Sequence, residues 1–324
     1  MKKKGFIISC AVLLIVLAAI ITAFLSDSEK APVKETRFML DTVCSITIYD
    51  GGKTAREVLD GAFDLCAEYD RLLSTTISSS DVFRINHSHG RPVDVSEDTA
   101  ELLSRALKYC SISGGEFDIT IYPAKSLWNF SGEKDIIPSS DELKKASELI
   151  DYTRLNITGN TVTLPDGMGI DLGAIAKGFI ADKIAGYLRK YHVTSAIIDL
   201  GGNVYALGCK PDGSDWKVGI RKPFHDTQAY TVNVSDASVV TSGIYQRYFE
   251  RDGIIYHHIL RSSDGMPCDT GLYSVTIISK SSEQCDALST VCMLLGYEKS
   301  LPVLAQYSDV RAVFITSEQE IICA

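Results

Sequence analysis

Basic side chains are in short supply. The 324 residues carry 32 Lys and Arg against 41 Asp and Glu, a net charge of −9. Four of the lysines fall in the first 30 residues beside only Asp27 and Glu29, which leaves 28 basic and 39 acidic side chains in the rest. Such a body has no basic field to gather nucleic acid; a polyanion bound here needs local contacts and a metal. There are nine cysteines but no CxxC pair, and their wide scatter argues against a zinc cluster. No GxxxxGK[ST] loop occurs, and no GxGxxG follows a strand, which sets aside a P-loop enzyme and a simple dinucleotide-fold oxidoreductase. Internal repeats, charge blocks and a second linker are also missing. With 45% hydrophobic and 23% charged residues the chain is neither mainly disordered nor a polytopic membrane protein.

What is present begins at the N-terminus. Lys2, Lys3 and Lys4 precede an apolar run from Phe6 to Leu25, broken only by Ser9 and Thr22. At about 1.5 Å per residue this helix spans about 30 Å, the thickness of a bilayer core. The lysines favour a cytoplasmic start and put everything after Ser26 outside the membrane. A cleaved signal peptide shares the lysine-led start, but the run is long for one and no small-x-small site follows. The reading is therefore one anchoring transmembrane helix (1–25), a polar tether (26–36) and one external unit (37–324), located at the cell membrane with its body extracytoplasmic. Most of that unit's cysteines sit in apolar segments and are read as buried free thiols.

Within the unit, alternation predicts a strand over 43–49 and 3.6-residue periodicity a helix over 54–73. Residues 74–95 read as an exposed loop. Helices follow over about 97–112 and from Ser139, whose Glu142 three residues later makes a capping box, to about 151. Gly159-Asn160 marks a hairpin. A helix is predicted over 174–191, then strands over 195–199 and near 203–208, 216–221, 230–234, 254–260 and 273–279. A helix over 283–295 and a hairpin over 310–323 end the chain. Strands mostly follow strands, so the fold class is α+β, with mixed or antiparallel sheets and packed helices.

Four segments carry candidate chemistry. Asp171-Leu-Gly-Ala-Ile-Ala-Lys-Gly178 turns into a helix whose free N–H groups and Lys177 suit a phosphate; a plain helix start with a solvated lysine reads the same. Asp286 and Thr290, four apart on a helix, offer hard oxygens to Mg2+, although Asp286 could simply serve the helix dipole. Of the adjacent His257 and His258, one can face a cleft as a proton carrier while the other faces solvent. The acidic turn Glu116-Phe117-Asp118, with Tyr122, Trp128 and Phe130 after it, could clasp a flat heterocycle or be an ordinary helix end. Together they describe a pyrophosphate, a hard metal and an aromatic ring.

In this order the segments resemble the ApbE family of FAD:protein FMN transferases over about residues 37–323. The resemblance rests on Phe38-Met39-Leu40-Asp41-Thr42, Gly115-Glu116-Phe117-Asp118 with Pro123 and Trp128, the 171–178 segment and Asp199-Leu-Gly-Gly-Asn203. It continues through Trp216-Lys-Val-Gly-Ile220, Val240-Thr-Ser-Gly243, His258-Ile259 and Asp286-Ala-Leu-Ser-Thr290. It implies an ApbE-like fold and a Mg2+-dependent enzyme that cleaves FAD, releases AMP and joins FMN through a phosphoester to a Thr or Ser of an acceptor protein. That acceptor is expected to be an external or membrane electron-transfer protein. Carried over, Asp286, Thr290 and the Ala174 carbonyl would hold the metal. Met39, Glu116, Phe117, Asp118, Asp171, Lys177 and Ile259 would line the FAD site, with Thr76 where relatives often have an aromatic residue. His258 is the candidate to accept the hydroxyl proton. Where relatives usually continue His-Ile with Asp-Pro-x-Thr-Gly-x-Pro, this chain has Arg261-Ser-Ser-Asp264-Gly-Met-Pro267, a change expected to bear on the loop near the metal, the acceptor preference or the rate while activity survives. Two other readings stand beside transfer: an FAD pyrophosphatase using water as the acceptor, and an extracytoplasmic FAD-binding protein without chemistry.

Overall fold

The computed structural model describes residues 31–50, 52–130 and 135–324. The apolar run over 6–25 lies outside the described residues; among those described, no helix is long and apolar enough to cross a membrane.

Eight strands form one sheet, and their order across it is their order along the chain: β1 (Val33–Met39), β2 (Thr42–Ile48), β3 (Ala196–Leu200), β4 (Asn203–Leu207), β5 (Ala237–Gly243), β6 (Leu272–Ser279), β7 (Arg311–Thr316) and β8 (Ile321–Cys323). Every neighbouring pair is antiparallel, which decides the expected mixed or antiparallel sheet for the antiparallel case. The first strand starts at Val33, so residues 33–36, read as tether, already pair with β2.

One face of the sheet is covered by helices. Helix α1 (Ala55–Leu73) buries Val58, Leu59, Ala62, Phe63, Cys66, Tyr69 and Leu73 on the face that their spacing predicts. Helix α2 (Glu97–Ile112) starts at the Ser96 cap, α3 spans Ala176–Lys190 and α4 spans Ser282–Leu295. Helices α3 and α4 pack against each other, and α4 lies on β5 and β6. Ten fully or nearly buried apolar residues, Trp216, Ile220, Val232 and Val234 among them, fill the opposite face under the hairpin of Trp216–Arg221 and Gln228–Val234. The sheet is thus sandwiched, and both faces bury apolar surface at about 25 cal/mol per Å².

Residues 74–95 are not one exposed loop. Ser80 caps the short helix Asp81–Asn86, whose Val82 and Ile85 are buried, and Val93–Asp94 forms a strand with Thr161–Thr163. Two features carried too little local signal to be read: the hairpin strand Tyr248–Arg251 and the helix Tyr297–Leu304, which holds a proline. The capping box at Ser139 and Glu142 is formed as expected, though its helix ends at Ser147. Among the described residues all eight cysteines are free; six are buried, Cys209 is half-buried and Cys323 exposed.

Candidate active site

The turn into α3 and the first turns of α4 meet at a contact that only glycine permits. A Cβ on Gly178 would lie 2.3 Å from the carbonyl oxygen of Ser282 and 2.7 Å from Cα of Glu283. With that atom absent, the helices approach until the Gly178 N–H donates to Oδ2 of Asp286 at 2.9 Å. The α3 start has no capping side chain of its own. Asp286, from the neighbouring helix, takes that role at the positive end of the helix dipole.

Asp286 is 4% exposed. Burial pushes its carboxyl above the usual aspartate range, while Lys177 and the Gly178 N–H pull the other way. Among the described residues it forms no ion pair within contact distance, and the bond from Gly178 is the one its side chain accepts. A buried carboxylate so thinly partnered is costly. Thr290 Oγ1 lies one turn further on α4, 3.0 Å from the hydroxyl of Ser242, which is itself 2.7 Å from that of Ser289. These oxygens, with the Ala174 carbonyl on the same cleft wall, are a hard donor set that suits a small divalent cation. Among the described residues no group of three or more His, Cys, Asp and Glu forms a metal cluster. The donor set here has a single carboxylate.

Around this junction opens a cleft of about 950 Å³, at the upper end of the roughly 300–1,000 Å³ of small-molecule sites. Its walls include Thr76, Glu116, Phe117, Asp118, Asp171, Ala174, Lys177, His258, Ile259, Asp286 and Thr290. One residue of the sequence-derived set is elsewhere. Met39 packs partly buried against the core, because alternation along β1 turns it to the helices. The wall at that point is the hairpin tip Leu40-Asp41, both in the left-handed region at φ 55° and 54°.

Asp171 does not face a phosphate bare. Lys125 Nζ donates to its Oδ1 at 2.6 Å, and the Gly173 N–H adds a bond of 2.9 Å. Burial acts to raise its carboxyl, but Lys125 and these bonds hold it below the usual range. Asp118 spends its carboxylate on the chain itself. Oδ1 accepts from the Thr120 N–H and hydroxyl, both at 2.7 Å, and Oδ2 from the Tyr152 N–H at 2.9 Å. It shapes the wall from behind. Lys177 is half-buried, with Nζ 3.2 Å from the Gly173 carbonyl.

The aromatic clasp is corrected. Phe117 is 3% exposed with its ring against Tyr109. Trp128 and Phe130 stack with Phe249 and Tyr256 in a separate apolar cluster, where Trp128 Nε1 donates to the Gly265 carbonyl. The histidines alternate as expected, but the one off the cleft faces the core, not solvent. His257 is 3% exposed, its Nε2 is 3.0 Å from the Cys268 carbonyl, and burial drives its ring down to about 4. His258 lines the cleft, and burial together with Lys125 drives its ring down to about 3.

The variant stretch 261–267 is a closed turn. Arg261 and Asp264 form a two-bond ion pair at 3.1 and 2.6 Å, and Asp264 Oδ1 also accepts from the Met266 N–H at 3.0 Å. Gly265, at φ +68°, passes so near Ala124 that a Cβ would lie 2.8 Å from its side chain. None of residues 261–267 lines the cleft, but the Ser262 hydroxyl donates to the Gly115 carbonyl at 2.7 Å, which ties the stretch to the wall at Glu116. Sequence reading missed Lys125, on a four-residue helix, and Arg247, whose Nη2 reaches the Asp41 carbonyl at 3.2 Å across the cleft. Neither lies in a periodic segment; only the loose Asp171 charge hinted that a cation must arrive.

Known proteins resemble this chain in sequence and in overall fold. A family model described as the ApbE family matches residues 40–314. The FAD:protein FMN transferase of Treponema pallidum is 37% identical over 94% of this chain and 91% of its own length; that of Klebsiella pneumoniae is 38% identical over 80% and 82%. Among solved structures, the ApbE protein of Thermotoga maritima superposes with a TM-score of 0.84 at 28% identity, covering 90% of this chain and 96% of that one. The flavinyl transferase ApbE of Pseudomonas stutzeri, in its apo form, gives 0.80 at 30% identity, covering 91% and 94%.

Proposed function

The chain belongs to the ApbE family, and from that premise we propose that it transfers the FMN part of FAD to a protein hydroxyl. In this reading the acceptor is a Ser or Thr of an external or membrane electron-transfer protein. The enzyme is Mg2+-dependent, held at the membrane by residues 1–25 through a short tether, with the unit from Val33 on the extracytoplasmic side.

The observation that carries the proposal is the Asp286 carboxylate, buried at the start of α3 with no ion pair among the described residues and with Lys177 as its nearest favourable charge. This is a place built for a cation and a pyrophosphate together. Asp286, Thr290 and the Ala174 carbonyl would hold Mg2+, which supplies positive charge to the phosphate oxygens. The chain's own groups do the rest. Lys177 and the N–H groups opening α3 bind the phosphates; Lys125 keeps Asp171 ionised for the flavin or ribityl end. Asp118 fixes the wall on which Glu116 and Ile259 meet the substrate. The acceptor oxygen attacks the FMN-side phosphorus, the bond from that phosphorus to the bridging oxygen breaks, and AMP departs with that oxygen. His258 accepts the hydroxyl proton. Burial and Lys125 hold its ring at about 3, so it is neutral at pH 7 but a weak acceptor that takes the proton only as the new bond forms and then yields it to water.

The test incubates the full-length chain in detergent with FAD, Mg2+ and a Ser/Thr acceptor peptide, following the peptide by mass spectrometry and AMP by chromatography. Metal-dependent gain of one FMN residue with matching AMP supports transfer. AMP and free FMN without peptide labelling would make the protein a pyrophosphatase, and intact bound FAD without AMP a binding protein.

A further inference from the structure

One group in the cleft wall has been left without a partner. Asn203 opens β4 directly after the two-residue turn Gly201-Gly202, lines the cleft, and is 1% exposed. Its Oδ1 accepts from the Ser282 hydroxyl at 2.6 Å, and Ser282 in turn is 2.8 Å from the hydroxyl of Ser238. Its Nδ2 has no hydrogen-bond partner among the described residues. Leaving a buried donor unmade costs about 1–3 kcal/mol, and native interiors seldom tolerate it without a use.

The neighbourhood says what the use is. Ser282, which orients the amide, begins α4 one turn before Asp286, and its carbonyl is the atom against which Gly178 packs. Asn203 is therefore tied through Ser282 to the junction that presents the α3 N-terminus, on the cleft that Lys177 and the candidate cation ligands also line. Val240 pairs with it across the sheet and Ser242 follows two residues on, which puts the Asn203 side chain on the same sheet face as the Ser242–Thr290 pair. An orphan N–H among cation-binding and anion-binding groups lacks an acceptor oxygen.

We propose that Asn203 is a substrate-contact residue whose Nδ2 donates to a phosphate oxygen of the bound dinucleotide, with Ser282 as the positioning residue that holds the amide the right way round. The inference rests on the FAD reading above and adds a neutral donor to the charged groups already assigned. A neutral donor reads the position of an oxygen without deepening the site's charge.

The experiment titrates the full-length chain with FAD and, separately, with riboflavin, which has the ring and no phosphate, by flavin fluorescence with EDTA present. Asn203→Asp keeps the oxygen that Ser282 needs and removes the donor at nearly the same volume. Asn203→Ala removes both. Relative to riboflavin, FAD affinity is expected to fall about tenfold in N203A, the worth of one hydrogen bond to a charged group, and further in N203D. Equal weakening of the two ligands, or unchanged FAD binding in N203D, overturns the assignment. Wild-type protein that binds FAD no better than riboflavin counts instead against the pyrophosphate reading of the cleft, so the two failures are told apart. Ser282→Ala, which frees the amide to rotate, is expected to give a smaller loss of the same FAD-selective kind.

Discussion

The junction of α3 with α4 and the turn 261–267 are both rich in polar groups, and they handle them in opposite ways. In the turn, Asp264 meets Arg261 through two bonds and the Met266 N–H through a third, so its charge is answered within the turn. At the junction, Asp286 is nearly as buried as a core leucine, yet one N–H is all it receives. The turn answers its charge within itself; the junction leaves its carboxylate to the cleft. Polar groups that the fold satisfies shape a protein, and those it leaves open indicate where its chemistry is done.

The comparison breaks first at Asp286. Asp286→Asn keeps an acceptor for Gly178 and removes the buried charge. Transfer is expected to fall by about 10²–10³-fold, the effect of several kcal/mol of lost charge stabilisation, while the melting temperature holds or rises. An active variant at ordinary Mg2+ would remove Asp286 from the metal site. Gly178→Ala tests the contact itself. Its methyl overlaps the Ser282 carbonyl, so denaturant titration is expected to show about 2–3 kcal/mol of lost stability as the helices part.

A third measurement uses pH. Because the Asp286 carboxyl is raised, its contribution to stability is fully present below the ordinary aspartate value and is lost as pH climbs through the raised one. A cation favours the ionised form and offsets that loss. Mg2+ should therefore raise the melting temperature more at pH 7.5 than at pH 5, and D286N should abolish the difference; an increment independent of pH would contradict the assignment. The smallest effect is expected in the turn. Arg261 and Asp264 are 38% and 45% exposed, so Asp264→Ala is expected to cost no more than about 1 kcal/mol. Its transfer rate should stay within about twofold of wild type, and a larger fall would tie the turn to the site.

What was legible in the sequence was whatever repeats locally. Helix α1 shows its buried face through seven spaced residues, and the Ser139 box announces a helix from two. The Asp171–Gly178 and Asp286–Thr290 segments could be named because each is a short run with its own chemistry. Contacts made across the fold could not be read. Lys125 reaches Asp171 over 46 positions and Asn203 reaches Ser282 over 79, and nothing in either segment points to the other. Trp128 and Phe130 misled for the complementary reason: aromatic residues near an acidic turn look like a ring clasp until the chain shows that they stack on Phe249 and Tyr256. Met39 was displaced by strand parity, a difference of one residue that decides between cleft and core.

The sheet whose strands follow chain order hides one exception in timing. β2 and β3 are neighbours in space, but Ile48 pairs with Ala196, about 150 residues later, and α1, α2 and the α3 turn all lie between them. Closing so long a loop costs little more than closing a shorter one, since each doubling adds only about 0.6 kcal/mol. It is slow, however, because the chain must find that pairing before the contact gives anything back. Thr42, Asp199 and the Gly201-Gly202 turn reach the cleft only through this seam. The wall that these residues form is therefore a product of the longest-range pairing described above, and it is complete only where β2 and β3 are joined.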